Sequence, residues 1–351
     1  MFVNCPRLVV LLALHVFSMW AVGPTFAGQR HDYHHEQNRS ALPAECNEHW
    51  GYKGKCGENV WGIIAPMCSQ GTHESPINID PRSTKYNNSL STPEFFKGAG
   101  NKMHSIVNNG HTAIVHIENE YFVKDAGLPG KYKIAQLHFH WGSDDFKGSE
   151  HTIAGKSYPL EVHIVMYNRD KYANFKESIA SDDDKAVAVF ASFADVSDTN
   201  EGTEIFDAIS KALKKIKYKD LENHVELEAF PPSNLMPKSR DQYYRYTGSF
   251  TTPPCSEIVI WTVFKDTIPI SHEQLKDFRQ LSDKPKDKTF EQMANNYRIT
   301  QPLENRAITR SFKAIPEQAE GYQIVGGSGA RTLVPMVAMI GWTTLLAMIL
   351  L

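Results

Sequence analysis

Apolar and polar residues alternate in several short stretches of the chain, with the period of two that is typical of β-strands. Strands outnumber helices in this pattern, so we predict a large sheet with helices on its surface. The predicted strands, each rich in β-branched or aromatic residues, are 105–107, 112–117, 132–141, 160–167, 186–193, 243–246 and 258–264.

Two segments have the period of a helix. Residues 203–217 place Ile205, Ile209, Leu213 and Ile216 on one face and carry lysines near the C-terminal end, where cations stabilise the helix dipole. A second helix is predicted over residues 272–281.

The two ends of the chain have the patterns of processing signals. Residues 1–27 contain Arg7, an apolar run and then small residues, which is typical of a secretory signal peptide. Residues 333–351 carry no charge and are long enough to span a bilayer. The small residues before them are typical of a glycosylphosphatidylinositol (GPI) attachment signal, whose hydrophobic tail is removed. We therefore predict attachment at Gly326 or Ser328 within a spacer of residues 317–332; a retained membrane helix is the alternative.

Between these ends the chain divides into an arm and one domain. Residues 28–45 are polar and lack apolar periodicity, which indicates a flexible N-terminal arm. Residues 46–316 show no linker, repeat or shift in composition, so we predict a single domain there.

Composition narrows the class of protein. With 41% apolar and 22% charged residues, the chain has ordinary globular composition. Its 37 Lys and Arg residues against 40 Asp and Glu residues give a net charge of −3, and no basic block stands out. We therefore expect no nucleic-acid partner.

Secretion changes how the cysteines are interpreted. Cys5 lies in the predicted signal peptide, so four cysteines remain in the mature chain. An even number in an oxidising compartment favours two disulfides, and the sequence leaves all three possible pairings open. The remaining cysteines are Cys46, Cys56, Cys68 and Cys255. Asn38 and Asn87 begin glycosylation tripeptides, which fit the same compartment.

Three histidines have the spacing of a metal site. His138 and His140 lie two residues apart in a predicted strand and share a face, and His163 lies in another alternating strand that can pair with the first. Three neutral imidazoles leave a coordination position open for water, which is the form of a catalytic zinc site. Gln136 and Glu161 each precede a histidine by two residues and can accept hydrogen bonds from ligand N–H groups. The alternative is a polar seam in a sheet without metal.

Seven short motifs are spread along the predicted domain. They are Ser-Pro-Ile-Asn-Ile at 75–79, Asn-Asn-Gly-His at 108–111, Gln-Leu-His-Phe-His-Trp-Gly at 136–142, Ser-Glu-His-Thr at 149–152, Glu-Val-His at 161–163, Gly-Ser-Phe-Thr-Thr-Pro-Pro at 248–254, and Asn-Tyr-Arg at 296–298 with Gln-Pro-Leu at 301–303. In order and spacing these motifs resemble those of the α-class carbonic anhydrases, and the similarity extends from about residue 46 to 312.

This resemblance implies a fold and a reaction. The fold is mostly β with surface helices, built on a central, largely antiparallel ten-stranded sheet with an active-site cone. One Zn²⁺ per chain would be held by His138, His140 and His163. Gln136 and Glu161 would accept hydrogen bonds from His138 and His163. The reaction is the reversible hydration of carbon dioxide to bicarbonate and a proton, in which zinc-bound hydroxide attacks CO2.

The resemblance also implies roles for individual residues. Glu150 accepts the hydroxyl proton of Thr251, which orients the nucleophile, and His111 shuttles the proton to solvent. Tyr52, Asn109 and Thr252 hold waters on the proton path. The implied substrate-binding residues are Val165, Val189, Phe250, Thr251, Thr252, Val259 and Trp261.

The closest resemblance is to the lipid-anchored extracellular members of this family. It implies the disulfides Cys46–Cys56 and Cys68–Cys255 and a location on the outer face of the plasma membrane, with bicarbonate transporters as candidate partners. Three positions depart from the family pattern: Glu74 stands in place of the usual Gln, Ile114 in place of a frequent polar residue, and Phe250 in place of the commoner leucine. The alternatives are a non-catalytic binding module and a zinc esterase.

Overall fold

A computed structural model describes residues 42–46, 49–313, 322–325 and 332–335 of the chain. The predicted signal peptide, Asn38 and the candidate attachment residues Gly326 and Ser328 lie outside these residues, as do most of the predicted arm and tail.

Within the described residues, strands dominate over helices, as predicted. The strands are β1 (Asn78–Ile79), β2 (Lys85–Tyr86), β3 (Pro93–Lys97), β4 (His104–Asn108), β5 (Ala113–His116), β6 (Tyr121–Asp125), β7 (Tyr132–Trp141), β8 (Thr152–Ile153), β9 (Leu160–Asn168), β10 (Val187–Val196), β11 (Asp220–Leu227), β12 (Tyr243–Gly248), β13 (Val259–Phe264), β14 (Ile268–Ile270), β15 (Thr309–Arg310), β16 (Tyr322–Val325) and β17 (Thr332–Pro335). The α-helices are α1 (Trp61–Ile64), α2 (Met67–Gln70), α3 (Phe175–Ile179), α4 (Glu204–Leu213) and α5 (His272–Arg279). Short 3₁₀ turns cover Ala44–Cys46, Gly54–Cys56, Glu58–Val60, Pro81–Ser83 and Pro232–Leu235.

One sheet contains thirteen of the strands in the described part of the chain. Its central path has ten strands in the order β11-β4-β5-β7-β9-β10-β13-β12-β15-β2, and β3, β6 and β14 pair beside this path. Most neighbours are antiparallel, whereas β10 runs parallel to β13 and β14, and β15 runs parallel to β2. The sheet is therefore mixed, with the predicted antiparallel arrangement in its majority.

The alternation along β7 separates the hydrophobic core from the site. Phe139 and Trp141 pack against Phe278 of α5, with ring centroids 5.1 and 5.4 Å apart. Successive side chains of a strand point to opposite faces, so His138 and His140 point away from this core.

The helices end earlier than predicted. α4 ends at Leu213, while Lys215 and Ile216 continue in turns whose amides bond to Ala212 and Leu213. α5 begins at His272, where Ser271 and Gln274 form a capping box, and it ends at Arg279.

Two disulfides tie the N-terminal segment to the domain. Cys46 is bonded to Cys56, and Cys68 is bonded to Cys255, which is the pairing that the resemblance implies. The second bridge joins residues that are 187 apart in sequence. One of them, Cys255, lies four residues after Thr251.

A separate unit begins at Phe312. Within it, β16 and β17 pair antiparallel in the region of the predicted spacer and the first residues of the predicted tail. Among the residues that the structure describes, no helix has the length and apolar character needed to cross a membrane.

Candidate active site

Strands β7 and β9 bring three imidazoles together. His138 is the cross-strand partner of His163, and His140 follows two residues later on the same face of β7. Nε2 of His138 and Nε2 of His140 lie 3.1 and 3.2 Å from Nδ1 of His163. The three nitrogens lie within 4.8 Å of one another.

The outer nitrogen of each imidazole faces an oxygen acceptor. Nδ1 of His138 lies 3.0 Å from Oε1 of Gln136, and Nε2 of His163 lies 2.7 Å from Oε1 of Glu161. Nδ1 of His140 lies 2.7 Å from the backbone oxygen of Asn296. Carbonyl and carboxylate oxygens can only accept, so the outer nitrogens donate and the inner nitrogens keep their lone pairs.

Burial lowers the pKa of all three histidines, and the neighbouring imidazoles lower the pKa of His138 and His140 further. The rings are therefore neutral at physiological pH. Three lone pairs that converge without a proton between them repel one another unless a cation lies among them. This donor set of three neutral nitrogens fits a zinc ion with an open coordination position.

Glu161 also contacts a fourth histidine, which sequence reasoning missed. Its carboxylate accepts from Nδ1 of His151 at 2.7 Å and from the His151 amide at 2.8 Å. Burial raises the pKa of Glu161, but His151 and His163 outweigh it and hold that pKa well below its usual range. His151 in turn lies 2.7 Å from the Tyr246 hydroxyl. The motif at 149–152 contains His151, yet nothing in its spacing indicates this contact.

Glu150 is fully buried beside the imidazoles. Its Oε1 accepts from the Arg298 amide at 2.9 Å, and its Oε2 lies 3.4 Å from Nε2 of His140. Oε2 has no hydrogen-bond partner among the residues that the structure describes. Burial and the charge of Glu161 raise the pKa of Glu150 well above its usual range. Arg298 and the Thr251 hydroxyl lower this pKa, but by less than burial and Glu161 raise it. A cation among the histidines would favour the ionised carboxylate.

An apolar row lies next to the histidines. Val165 of β9 pairs with Val189 of β10, which pairs with Trp261 of β13, so the three form a continuous row across the sheet. Val165 lies two residues after His163 and therefore shares its face. The Trp261 ring lies 4.9 Å from the His163 ring.

The other predicted wall residues flank this row. Val259 is buried and lies two residues before Trp261, and Phe250 and Thr252 are partly buried beside Thr251 in the segment that follows β12. Ile114 is the cross-strand partner of His138, so this departure from the family pattern lies on the face of the site.

His111 lies against Trp50 in this structure. The two rings stack at 3.9 Å, and His49 is 5.5 Å from His111. Burial, together with His49 and Lys219, lowers the pKa of His111 to about 3. In this stacked position the pKa of His111 lies well below the near-neutral value that suits a proton shuttle.

Two residues of the predicted proton path contact the backbone or aromatic rings. Oδ1 of Asn109 accepts from the amides of His111 and Thr112 at 2.9 and 2.8 Å, so it fixes the turn before β5. Tyr52 packs edge-on against Trp61, and its pKa is raised well above the usual value by burial and by Glu150.

Comparison with known proteins agrees with this geometry. The family model for the eukaryotic-type carbonic anhydrases matches residues 56–312. The chain is 38% identical to carbonic anhydrase 7 of Mus musculus over 268 residues, which are 76% of this chain and 98% of that protein. It is 35% identical to carbonic anhydrase 12 of Homo sapiens over 285 residues (80% and 77%) and 35% identical to carbonic anhydrase 3 of Homo sapiens over 267 residues (75% and 98%). The fold, the buried imidazole cluster and these matches together show that this chain belongs to the eukaryotic-type carbonic anhydrase family.

Proposed function

We propose that this chain is a zinc-dependent enzyme that hydrates carbon dioxide to bicarbonate and a proton at the outer surface of the cell. One observation carries the proposal: the unprotonated inner nitrogens of His138, His140 and His163 converge beside an apolar row. A neutral substrate without hydrogen-bond donors suits such a wall, and a cation suits the nitrogens.

The histidines would hold one Zn²⁺. When bound, zinc supplies a Lewis acid that lowers the pKa of water to near neutrality, a property for which this enzyme family is itself the standard example. Each ring donates its outer N–H to an acceptor: Gln136, Glu161 or the Asn296 carbonyl. These hydrogen bonds keep the lone pairs of the inner nitrogens directed towards one another.

Thr251 and Glu150 would orient the attacking oxygen. Oε1 of Glu150 accepts a hydrogen bond from the Arg298 amide. Its Oε2 is therefore available to accept a hydrogen bond from the hydroxyl of Thr251. Because the Thr251 hydrogen is then bonded to Glu150, the Thr251 oxygen can only accept a hydrogen bond. It would accept that bond from the O–H of the attacking oxygen and so orient this oxygen. The apolar wall for carbon dioxide would be formed by Val165, Val189, Phe250, Val259 and Trp261, with Thr252 at its edge.

His111 would carry the product proton to solvent. The ring must leave the Trp50 stack to do so, because its pKa of about 3 in the stacked position prevents proton uptake at neutral pH. Tyr52 and Asn109 would hold water between His111 and the site.

A cell-surface location is supported by the ends of the sequence. The apolar leader at residues 1–27, the disulfides and the uncharged run at 333–351 fit a secreted, GPI-anchored glycoprotein with sugar at Asn38 and Asn87. Bicarbonate transporters are the partners that such a location would bring close.

Stopped-flow measurement of carbon dioxide hydration by the full-length protein tests the activity. We expect rapid hydration that is lost on removal of zinc by a chelator and recovered on addition of zinc alone. In H111A, hydration should slow in dilute buffer and recover with added imidazole, because only proton export is impaired. Zinc binding without hydration would favour the non-catalytic module, and ester hydrolysis without carbon dioxide hydration would favour the esterase.

A further inference from the structure

A buried ion pair joins Glu74 to Arg298, the residue whose amide donates to Glu150. Oε2 of Glu74 and Nη1 of Arg298 lie 2.6 Å apart, and the two residues are only 6% and 2% exposed.

The guanidinium of Arg298 is fixed on three sides. Besides Glu74, it donates to the carbonyl of Ser75 through Nη1 and to the carbonyl of Cys68 through Nη2, each at 2.8 Å. Cys68 is bonded to Cys255. Arg298 is thereby held against a segment that a disulfide already anchors.

The backbone of Arg298 is part of the support of the site. Its amide donates to Oε1 of Glu150 at 2.9 Å, and two residues earlier the carbonyl of Asn296 accepts from Nδ1 of His140. Because the side chain and the amide belong to one residue, contacts that hold the guanidinium also hold the amide under Glu150.

The second oxygen of Glu74 is unpartnered among the described residues, so the ion pair by itself is weak evidence for a stabilising role. Oε1 of Glu74 has no hydrogen-bond partner in the described part of the chain, and a Cβ added at Gly71 would collide with it and with Oε1 of Glu257. Two carboxylates near one glycine repel each other. A buried ion pair with an unpartnered oxygen seldom stabilises a fold, whereas it can fix one arrangement of the groups around it.

We propose that Glu74 is a positioning residue for the hydration reaction, an inference that rests on the proposed function. Its charge holds Arg298 so that the Arg298 amide occupies Oε1 of Glu150. This leaves Oε2 of Glu150 directed to Thr251. The position of the nucleophile therefore depends on a carboxylate two contacts away.

The test compares E74Q with the wild type in stopped-flow hydration at saturating buffer. The amide keeps the shape of Glu74 but removes the charge. We expect one zinc per chain and a loss of roughly three- to tenfold in kcat/KM, smaller than the loss expected for a direct partner of the site. D145N is the matched control, because Asp145 forms a partly buried 2.7 Å ion pair with Arg279 on another segment. Its kcat/KM should equal that of the wild type.

A double-mutant cycle with E150Q separates positioning from general stability. If Glu74 acts through Glu150, E74Q lowers kcat/KM in the wild-type background but not in the E150Q background, while its effect on Tm is the same in both. The inference would be overturned if the wild type is active and E74Q has the same kcat/KM. It would also be overturned if E74Q lowers kcat/KM by the same factor in the wild-type and E150Q backgrounds. A wild type without hydration activity would instead reject the proposed function.

Discussion

At the scale of single residues, His163 lies at the centre of the imidazole cluster. Its Nδ1 faces both other inner nitrogens at 3.1 and 3.2 Å, and its Nε2 is held by Glu161. In H163A we expect zinc content well below one per chain and loss of hydration, because two imidazoles hold the ion weakly. Metal analysis and stopped-flow hydration measure this. H73A removes an exposed histidine and should keep both properties; full metal content in H163A would contradict the ligand assignment.

Trp50 stacks on His111 and contributes to its burial. Burial, together with His49 and Lys219, lowers the pKa of His111 to about 3. In W50A we expect this pKa to rise towards the ordinary value of about 6.5, because the ring gains solvent. An NMR titration of His111 measures it.

The same shift has a consequence for stability. A histidine with a depressed pKa in the folded state takes up its proton first in the unfolded chain. The wild-type fold therefore loses stability as the pH falls from about 6.5 towards about 3, and W50A should lose less over this range. An unchanged pKa in W50A would show that Trp50 does not bury His111.

Some site residues could be predicted from the sequence and others could not. The period of two placed His138 and His140 on one face and indicated Gln136 and Glu161 as acceptors, and the structure has these contacts. The acceptor for His140 is a backbone carbonyl at Asn296, and a carbonyl has no sequence signature. Likewise the stack of His111 on Trp50 depends on how two distant segments meet.

At the scale of elements, the two disulfides differ in the length of chain that they close. Cys68–Cys255 joins residues 187 apart, whereas Cys46–Cys56 joins residues 10 apart. If loop entropy dominates, removal of the long-range bridge in C68S/C255S lowers the free energy of unfolding by about 5 kcal/mol, and removal of the short one in C46S/C56S by about 3 kcal/mol.

Urea unfolding of the two double variants measures this difference. Hydration should also fall in C68S/C255S, since Cys68 holds Arg298 through its carbonyl and Cys255 follows Thr251 closely. Equal losses of stability in the two variants would contradict the entropic explanation.

The predicted strands agree with the structure where burial imposes a pattern. The strand predicted over 132–141 has the bounds of β7, and that over 160–167 is one residue shorter than β9. β11 was missed because most of its side chains are exposed, which leaves no apolar alternation. The parallel pairing of β10 with β13 could not be predicted either, because register between distant strands depends on tertiary packing.

At the scale of the whole molecule, one sheet separates two environments. The face of β7 with Phe139 and Trp141 packs on α5 and excludes water, while the opposite face carries the histidines. Substitutions on the two faces should therefore have different consequences: those on the core face lower stability, and those on the site face lower zinc binding or turnover.

The C-terminal residues carry the last prediction. The run at 333–351 is uncharged, and small residues at 326–330 precede it. We expect the mature protein to lack this tail and to be held on the outer cell surface by a lipid at Gly326 or Ser328. A phosphatidylinositol-specific phospholipase should then release active enzyme into the medium, because the lipid is the only attachment that it cleaves.

The matched control for this release is a fusion of residues 28–325 to an unrelated transmembrane helix, which the phospholipase should leave on the cell. Mass spectrometry of the C-terminal peptide from the natural chain identifies the attached residue. Detection of Trp342 in the mature protein would contradict the anchor and favour a retained helix. The zinc chemistry would be unaffected by that outcome, because it rests on His138, His140 and His163.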